Sequence, residues 1–197
     1  MAKIKSSDNT TTKRDVIIMA AAGLFREKGY KAASMRELAA KVGVEAASLY
    51  NHISSKDDLL KDICFAVLKE YHAHINTLEN EKLAGSLKVE HIVRFHVKQM
   101  IENYENVYVT DQNWRQLNEP ALTEYRELRR KYRRRFTTIV QQGIDNKELK
   151  QMDANSTVMV ILNAIAAVDQ WHRIIHKVGS KELENIIVSI LVDGIKL

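Results

Sequence analysis

"GVEAASLYNHISSKDDLL", residues 43–60, packs two helix-like fragments around a very short break and brings Tyr50, Asn51, His52 and Lys56 close together. Just upstream, Ser34 followed three residues later by Glu37 has capping-box spacing, which predicts a helix over 35–41 that buries Leu38 and Ala39. Gly43 supplies the turn, and a short helix follows over about 45–51. Ser54 with Asp57 gives the next cap, opening a long helix through Leu59, Leu60, Ile63, Val67 and Leu68.

Two short helices joined by a tight glycine turn form a helix-turn-helix, whose second helix fits a major groove about 12 Å wide. That assigns Glu45, Ala46, Ala47 and Ser48 to the reading helix, where small side chains let the backbone approach base edges. Tyr50, His52 and Lys56 follow at its end, placed to hold phosphates. Each also has a plainer reading: Leu49 as core, Tyr50 as a packing aromatic, His52 as an ordinary surface histidine.

The charge distribution points the same way. The net charge is +5, and residues 1–56 hold ten Lys or Arg against five acidic groups while residues 57–197 hold twenty of each. A basic segment beside a balanced body is the footprint of a nucleic-acid-binding unit joined to something else, or of a solvated basic face.

Helical periodicity runs through almost all of the 197 residues, which include one proline, seven glycines and 45% hydrophobic side chains. The first helix opens at Thr12 with Asp15, buries Ile17, Ala20, Ala21, Leu24 and Phe25, and ends at Gly29. Beyond the linker "ENEKLAGS", helices are predicted over about 88–105, 107–117, 120–143, 153–175 and 180–195. The expectation is an all-α protein of about nine helices: a flexible basic start at 1–11, a DNA-binding unit at 12–58, and an effector-binding and dimerisation body at 59–197. No run reaches the roughly 18 apolar residues of a membrane span, and the start lacks a signal peptide's apolar stretch, so a cytoplasmic location is expected. The single cysteine, Cys64, excludes an internal disulfide and suits a buried apolar position.

The run "IIMAAAGLFREKGYKAASMRELAAKVGVEAASLYNHISSKDDLL", residues 17–60, resembles the amino-terminal DNA-binding domain of the tetracycline-repressor (TetR) family. The resemblance implies a homodimeric transcription regulator, usually a repressor, that grips a palindromic double-stranded operator and releases it when a small effector binds the carboxy-terminal helices. It further implies backbone contacts from Ser34 and Arg36, groove contacts from Ala46, Ala47 and Ser48, and phosphate contacts from Tyr50, His52 and Lys56, with Asn51 in the same cluster. Glu45 departs from the family's frequent serine, weakening the helix cap, and Ile53 replaces a frequent phenylalanine.

The carboxy-terminal body carries "STVMVILNAIAAVDQW" and "LENIIVSILVDGI", each apolar on nearly every face, so pairing these last two helices with their copies predicts a four-helix dimer interface. An elongated apolar pocket is expected from His96, Met100, Trp114, Tyr125, Tyr132, Met159, Asn163 and Trp171. In "RELRRKYRRRF", residues 126–136, Arg129 and Arg133 would meet an anionic head such as that of an acyl-coenzyme A ester, unless the run is a solvated face. "QWHR", residues 170–173, is similar to the Gln-Trp-Tyr-Arg segment of TetR-type sensors of fatty acyl-coenzyme A. Asp169, His172 and His176, at i, i+3 and i+7, share a helix face as metal ligation could require, but such polar groups more often make ordinary interface hydrogen bonds. The reading therefore includes no cofactor, no metal and no membrane partner. The rival functions are a helix-turn-helix protein that senses nothing and an all-helical enzyme, for which the chain offers no nucleophile, carboxylate pair or phosphate loop.

Overall fold

The computed structural model describes residues 12–174 and 178–197. The expected start at 1–11 and His176 lie outside the described residues. Nine α-helices form among those described: α1 (Lys13–Lys28), α2 (Met35–Val42), α3 (Ala46–Leu49), α4 (Lys56–Asn80), α5 (Gly85–Glu102), α6 (Tyr104–Asn113), α7 (Ala121–Asp145), α8 (Ala154–Ala166) and α9 (Ser180–Val188).

Local chemistry sets the boundaries. Thr12 and Asp15 close a capping box at α1, as Ser34 and Glu37 do at α2. The α4 cap is Ser55, whose hydroxyl accepts from the Asp58 amide at 3.0 Å, one residue later than the Ser54 expected from spacing. The expected helix over 153–175 holds α geometry only to Ala166 and tightens into a 3-10 segment over Ala167–Arg173. That over 180–195 passes after Val188 into a π turn, Ser189–Asp193.

Two apolar clusters share these helices. The amino-terminal cluster joins Ile17, Leu24, Phe25, Leu38, Leu49 and Ile53 to the first half of α4, and it takes in Val109 of α6, Leu117 and Tyr125 of α7. The second joins the latter part of α4 to α5, α7, α8 and α9 around Ile75, Val93, Phe136 and Val158. Helix α4 thus runs unbroken through residue 58, with Leu59, Leu60 and Ile63 in one core and Ile75 and Leu78 in the other.

Helices α5 and α7 meet at Gly85 and Gly143, where a β-carbon on Gly85 would stand 2.8 Å from the Cα and N of Gly143. Backbone cannot yield as a side chain does, so Gly85→Ala should cost about 1–3 kcal/mol, and the melting temperature should fall by on the order of 5 °C. Gly179→Ala, whose β-carbon meets nothing within 4 Å, should leave it unchanged in the same thermal melts.

Candidate nucleic-acid interface and internal cavity

The turn between α2 and α3 depends on Gly43, which adopts φ 77° and ψ 31° in the left-handed region. This lets the Gly43 and Val44 amides donate back to the Ala40 and Ala39 carbonyls at 3.2 and 3.0 Å, closing α2. Helix α3 then starts with no side-chain cap from Glu45 and spans four residues, shorter than the expected 45–51. What holds it is Leu49, which is fully buried.

Above that anchor, Ser34, Arg36, Glu45, Ala46, Ala47, Tyr50 and Asn51 are exposed, and Ser48, His52 and Lys56 are half-buried. Tyr50 is 53% exposed, so it is not a packing aromatic. Arg36, Tyr50 and Asn51 have no side-chain hydrogen bond or ion pair among the described residues, leaving them available to a ligand. Ser34 is committed: its hydroxyl and amide both donate to Glu37, and Lys28 pairs with the same carboxylate. Lys28 and Ser34 together hold the Glu37 carboxyl down at about 2.

Lys56, expected at a phosphate, rests on backbone carbonyls in this structure. Its ammonium donates to the carbonyls of Tyr30, Lys31 and Ala33 at 3.0, 3.3 and 3.0 Å and lies 4.8 Å from the centre of the Tyr30 ring. All three N–H donors are thereby used to brace the α1–α2 turn. Arg14, which the sequence does not single out, locks α1 to this region by donating to the His52 carbonyl at 2.5 Å and to Asp62.

The carboxy-terminal helices border a half-open cavity of about 650 Å³. His96, Met100, Trp114, Tyr125, Arg129, Tyr132, Arg133, Met159 and Asn163 line it, together with Leu68, Tyr71, Val107, Leu162 and Ile165. Trp171 does not: its indole N–H donates to the Val178 carbonyl at 3.1 Å, outside this lining. Within the wall, His96 Nε2 and the Tyr132 hydroxyl are 2.7 Å apart. Complete burial lowers the His96 pKa to about 3, so the imidazole is neutral at physiological pH and the pair is an uncharged hydrogen bond.

Four arginines on the lining, Arg115, Arg126, Arg129 and Arg133, form no ion pair with a carboxylate among the described residues. Those of Arg115 and Arg129 lie 4.5 and 4.6 Å from the centre of the Trp114 ring. Only part of the basic run on α7 is therefore a plain solvated face; Arg130, which also lines the cavity, pairs with Glu127 at 2.6 Å, and Arg135 engages Glu79. Asp111 is the one acidic residue on the lining among the described residues, and like Tyr71, Val107 and Thr110 it is not expected there from the sequence. Its side chain is exposed and lines the cavity, and the partial desolvation by the surrounding protein raises its pKa to about 6 against the opposing pull of Arg129. Val107, Thr110, Asp111 and Trp114 lie at i, i+3, i+4 and i+7, so the α6 register carried the signal beneath the polar look of "TDQN".

Of the residues weighed for metal ligation, Asp169 and His172 serve as packing partners. The ring of His172 stacks 3.7 Å from that of Tyr104 and its Nε2 lies 2.8 Å from the Met100 carbonyl, while Asp169 accepts from the Tyr104 hydroxyl at 2.5 Å. Among the described residues no three His, Cys, Asp or Glu side chains are grouped to hold a metal ion.

Residues 17–63 match the family model described as bacterial regulatory proteins, tetR family, and residues 84–195 match that of the tetracyclin repressor-like C-terminal domain. The chain is 22% identical over 192 residues to the HTH-type transcriptional repressor KstR2 of Mycolicibacterium smegmatis, covering 93% of this chain and 91% of that one. The ketosteroid transcriptional regulator KstR2 of Mycobacterium tuberculosis superposes with a TM-score of 0.88 at 16% identity, covering 98% of this chain and all of the other. AibR, solved in complex with isovaleryl coenzyme A and operator DNA, superposes at 0.81 with 17% identity over 92% of this chain and 98% of its own.

Two outcomes follow from the geometry. Lys56→Ala removes three charge-assisted bonds from a half-buried turn and should destabilise the fold by about 1–2 kcal/mol, read as a melting temperature lowered by about 3–6 °C. Asp111, protonated in the fold up to about pH 6 against 3.8 for the free group, leaves the protein unpenalised below 3.8 and penalised progressively as pH rises through 6. Asp111→Asn should therefore melt about 2–4 °C above the parent at pH 8, allowing for water in the cavity, and the gain should vanish toward pH 4.

Proposed function

This chain belongs to the TetR family of ligand-responsive, DNA-binding transcriptional repressors, and from that premise we propose that its effector is an amphipathic anion with an extended apolar part, an acyl-coenzyme A ester being the first candidate. The observation that carries this reading is the arginine-rimmed cavity of about 650 Å³: aromatic and aliphatic side chains for the body, and four guanidinium groups without carboxylate partners among the described residues for the head. The isovaleryl coenzyme A bound by AibR is in keeping with it.

The rest of the assignment follows the family. The chain acts as a cytoplasmic homodimer on a partly palindromic operator, one α3 from each subunit reading successive major grooves. Residues 12–58 serve as the DNA-binding unit and residues 59–197 as the effector and dimerisation body. Ser34, Arg36, Glu45 through Ser48, Tyr50, Asn51 and His52 face the operator, and Lys56 supports them from beneath. Dimerisation uses α8 and the end of the chain, where Val160 and Ile190 are 57% and 67% exposed, an apolar surface that a second copy would bury. Helix α6 supplies the coupling: it contributes Val107, Thr110 and Asp111 to the cavity and packs against α1 and α4. A ligand that binds one setting of α6 better than the other would shift the spacing of the two α3 helices and release DNA.

Operator release followed by fluorescence anisotropy, with coenzyme A esters from two to sixteen carbons, tests the effector. Release is expected at micromolar ester, with the half-maximal concentration rising about tenfold or more in the double variant Arg129→Ala, Arg133→Ala. No release at any chain length, or release unaffected by that variant, would reject the acyl-coenzyme A reading.

A further inference from the structure

Two cations on the cavity wall are held in a way that leaves their donors free. Arg130 and Arg135 of α7 spend theirs on Glu127 and Glu79. Arg115 and Arg129 instead rest on one indole, their guanidinium carbons 4.5 and 4.6 Å from the centre of the Trp114 ring, and neither side chain makes a hydrogen bond or an ion pair among the described residues. Stacking occupies the face of a guanidinium and not its edge, so the N–H donors stay available while the ring fixes the group's position. Cations gathered on one side chain repel each other, and Arg126 and Arg133, at i−3 and i+4 from Arg129 on α7, add two more to the same wall. Against these four stands one lining carboxylate, Asp111, which forms an ion pair with none of them among the described residues.

Resting on the effector pocket proposed above, we propose that Arg115 and Arg129, held by Trp114, form a phosphate subsite at the open side of the cavity, built for a diphosphate head in preference to a single carboxylate. Both arginines are exposed, whereas Tyr132 and His96 are buried on the same lining, so the head lies outward and the chain inward. A carboxylate offers one charge and two oxygens, which a single guanidinium meets in a bidentate pair, leaving the remaining cations facing none. A diphosphate carries several charges on separate groups of oxygens and presents a bidentate edge to each of the two guanidiniums. Arg126 and Arg133 continue the positive wall along α7 over seven residues, about 10 Å of helix, a span longer than one carboxylate. Leu68, Val107, Leu162 and Ile165 supply the apolar side that takes the chain. An apolar chain ending in a diphosphate is the chemistry this wall fits, whether the diphosphate is bare or part of a nucleotide, as in a coenzyme A ester.

Trp114 is a positioning residue in this arrangement. A free arginine loses rotamer freedom when it grips a phosphate, and here the indole has already restrained two of them at no expense of a donor. Phenylalanine in its place keeps a weaker aromatic face, and leucine keeps the apolar bulk without one. The aromatic face, and not the volume, is therefore what the subsite requires at this position.

Dodecanoate and dodecyl diphosphate carry chains of equal carbon number and differ in the head. Isothermal titration of the intact protein at pH 7.5, with both probes below their micelle concentrations, should give about tenfold tighter binding of the diphosphate. Arg115→Gln should reduce that ratio to less than about threefold, because one of the two bidentate partners is gone. Trp114→Leu should reduce it similarly and Trp114→Phe should keep at least about half of it, with circular dichroism checking that all three variants are folded. Dodecanoyl-coenzyme A then separates the two sources of the head: binding as tight as that of dodecyl diphosphate or tighter assigns the nucleotide-borne diphosphate, and weaker binding assigns the bare one. Equal affinity for dodecanoate and dodecyl diphosphate, binding of neither, or a tenfold ratio retained in both Arg115→Gln and Trp114→Leu would overturn the subsite. Tight dodecyl diphosphate without operator release by any coenzyme A ester rejects the acyl-coenzyme A effector and spares the subsite; release by the esters with equal affinity for the two simple probes does the reverse.

Discussion

The architecture depends on the insertion of Val109, Leu117 and Tyr125 into the amino-terminal core. Val109 is fully buried there, among residues of α1 and α4, although it belongs to the same short helix that walls the cavity. Burial of an aliphatic or aromatic side chain contributes about 1.5–3 kcal/mol, and three such side chains make it costly to separate the helix-turn-helix from the body. The two parts are consequently not beads on a linker. Asn118 reinforces the junction by donating to Asp57 at 2.8 Å, while Asp57 also accepts from the Tyr30 hydroxyl.

Helix α6 is thereby placed under two sets of demands. One side must fit α1 and α4, and the other must accommodate whatever fills the cavity. Arg26 of α1 lies against this junction, 5.6 Å from the centre of the Tyr104 ring, which in turn stacks on His172 of the 3-10 segment after α8. These stacked rings make the junction between α1, α6 and the segment after α8 one continuous packed contact.

The polar groups of the cavity also divide by how the fold treats them. His96 and Tyr132 satisfy each other, which fixes the floor and keeps the imidazole neutral. Arg115, Arg126, Arg129 and Arg133 form no ion pair with a carboxylate among the described residues. A self-satisfied pair holds its geometry by itself, whereas the cations on the wall keep donors to spare.

The sequence by itself determined the helical class, the caps at Thr12 and Ser34, the turn at Gly43 and the exposed cluster beyond it, because capping and left-handed turns are local chemistry written within four residues. It also pointed to His96, Tyr125, Tyr132 and their neighbours on the cavity wall, since helical register places residues on a face without reference to other helices. Only the tertiary structure decided what each polar group meets. The sequence marks Lys56 as a cation beside the turn, and only the fold brings its ammonium to three carbonyls more than twenty residues away. Asp111 reads as an ordinary polar surface residue until α4 and α7 are seen to share the cavity it lines, because the surroundings of an ionisable group depend on which helices pack there and not on the residue itself.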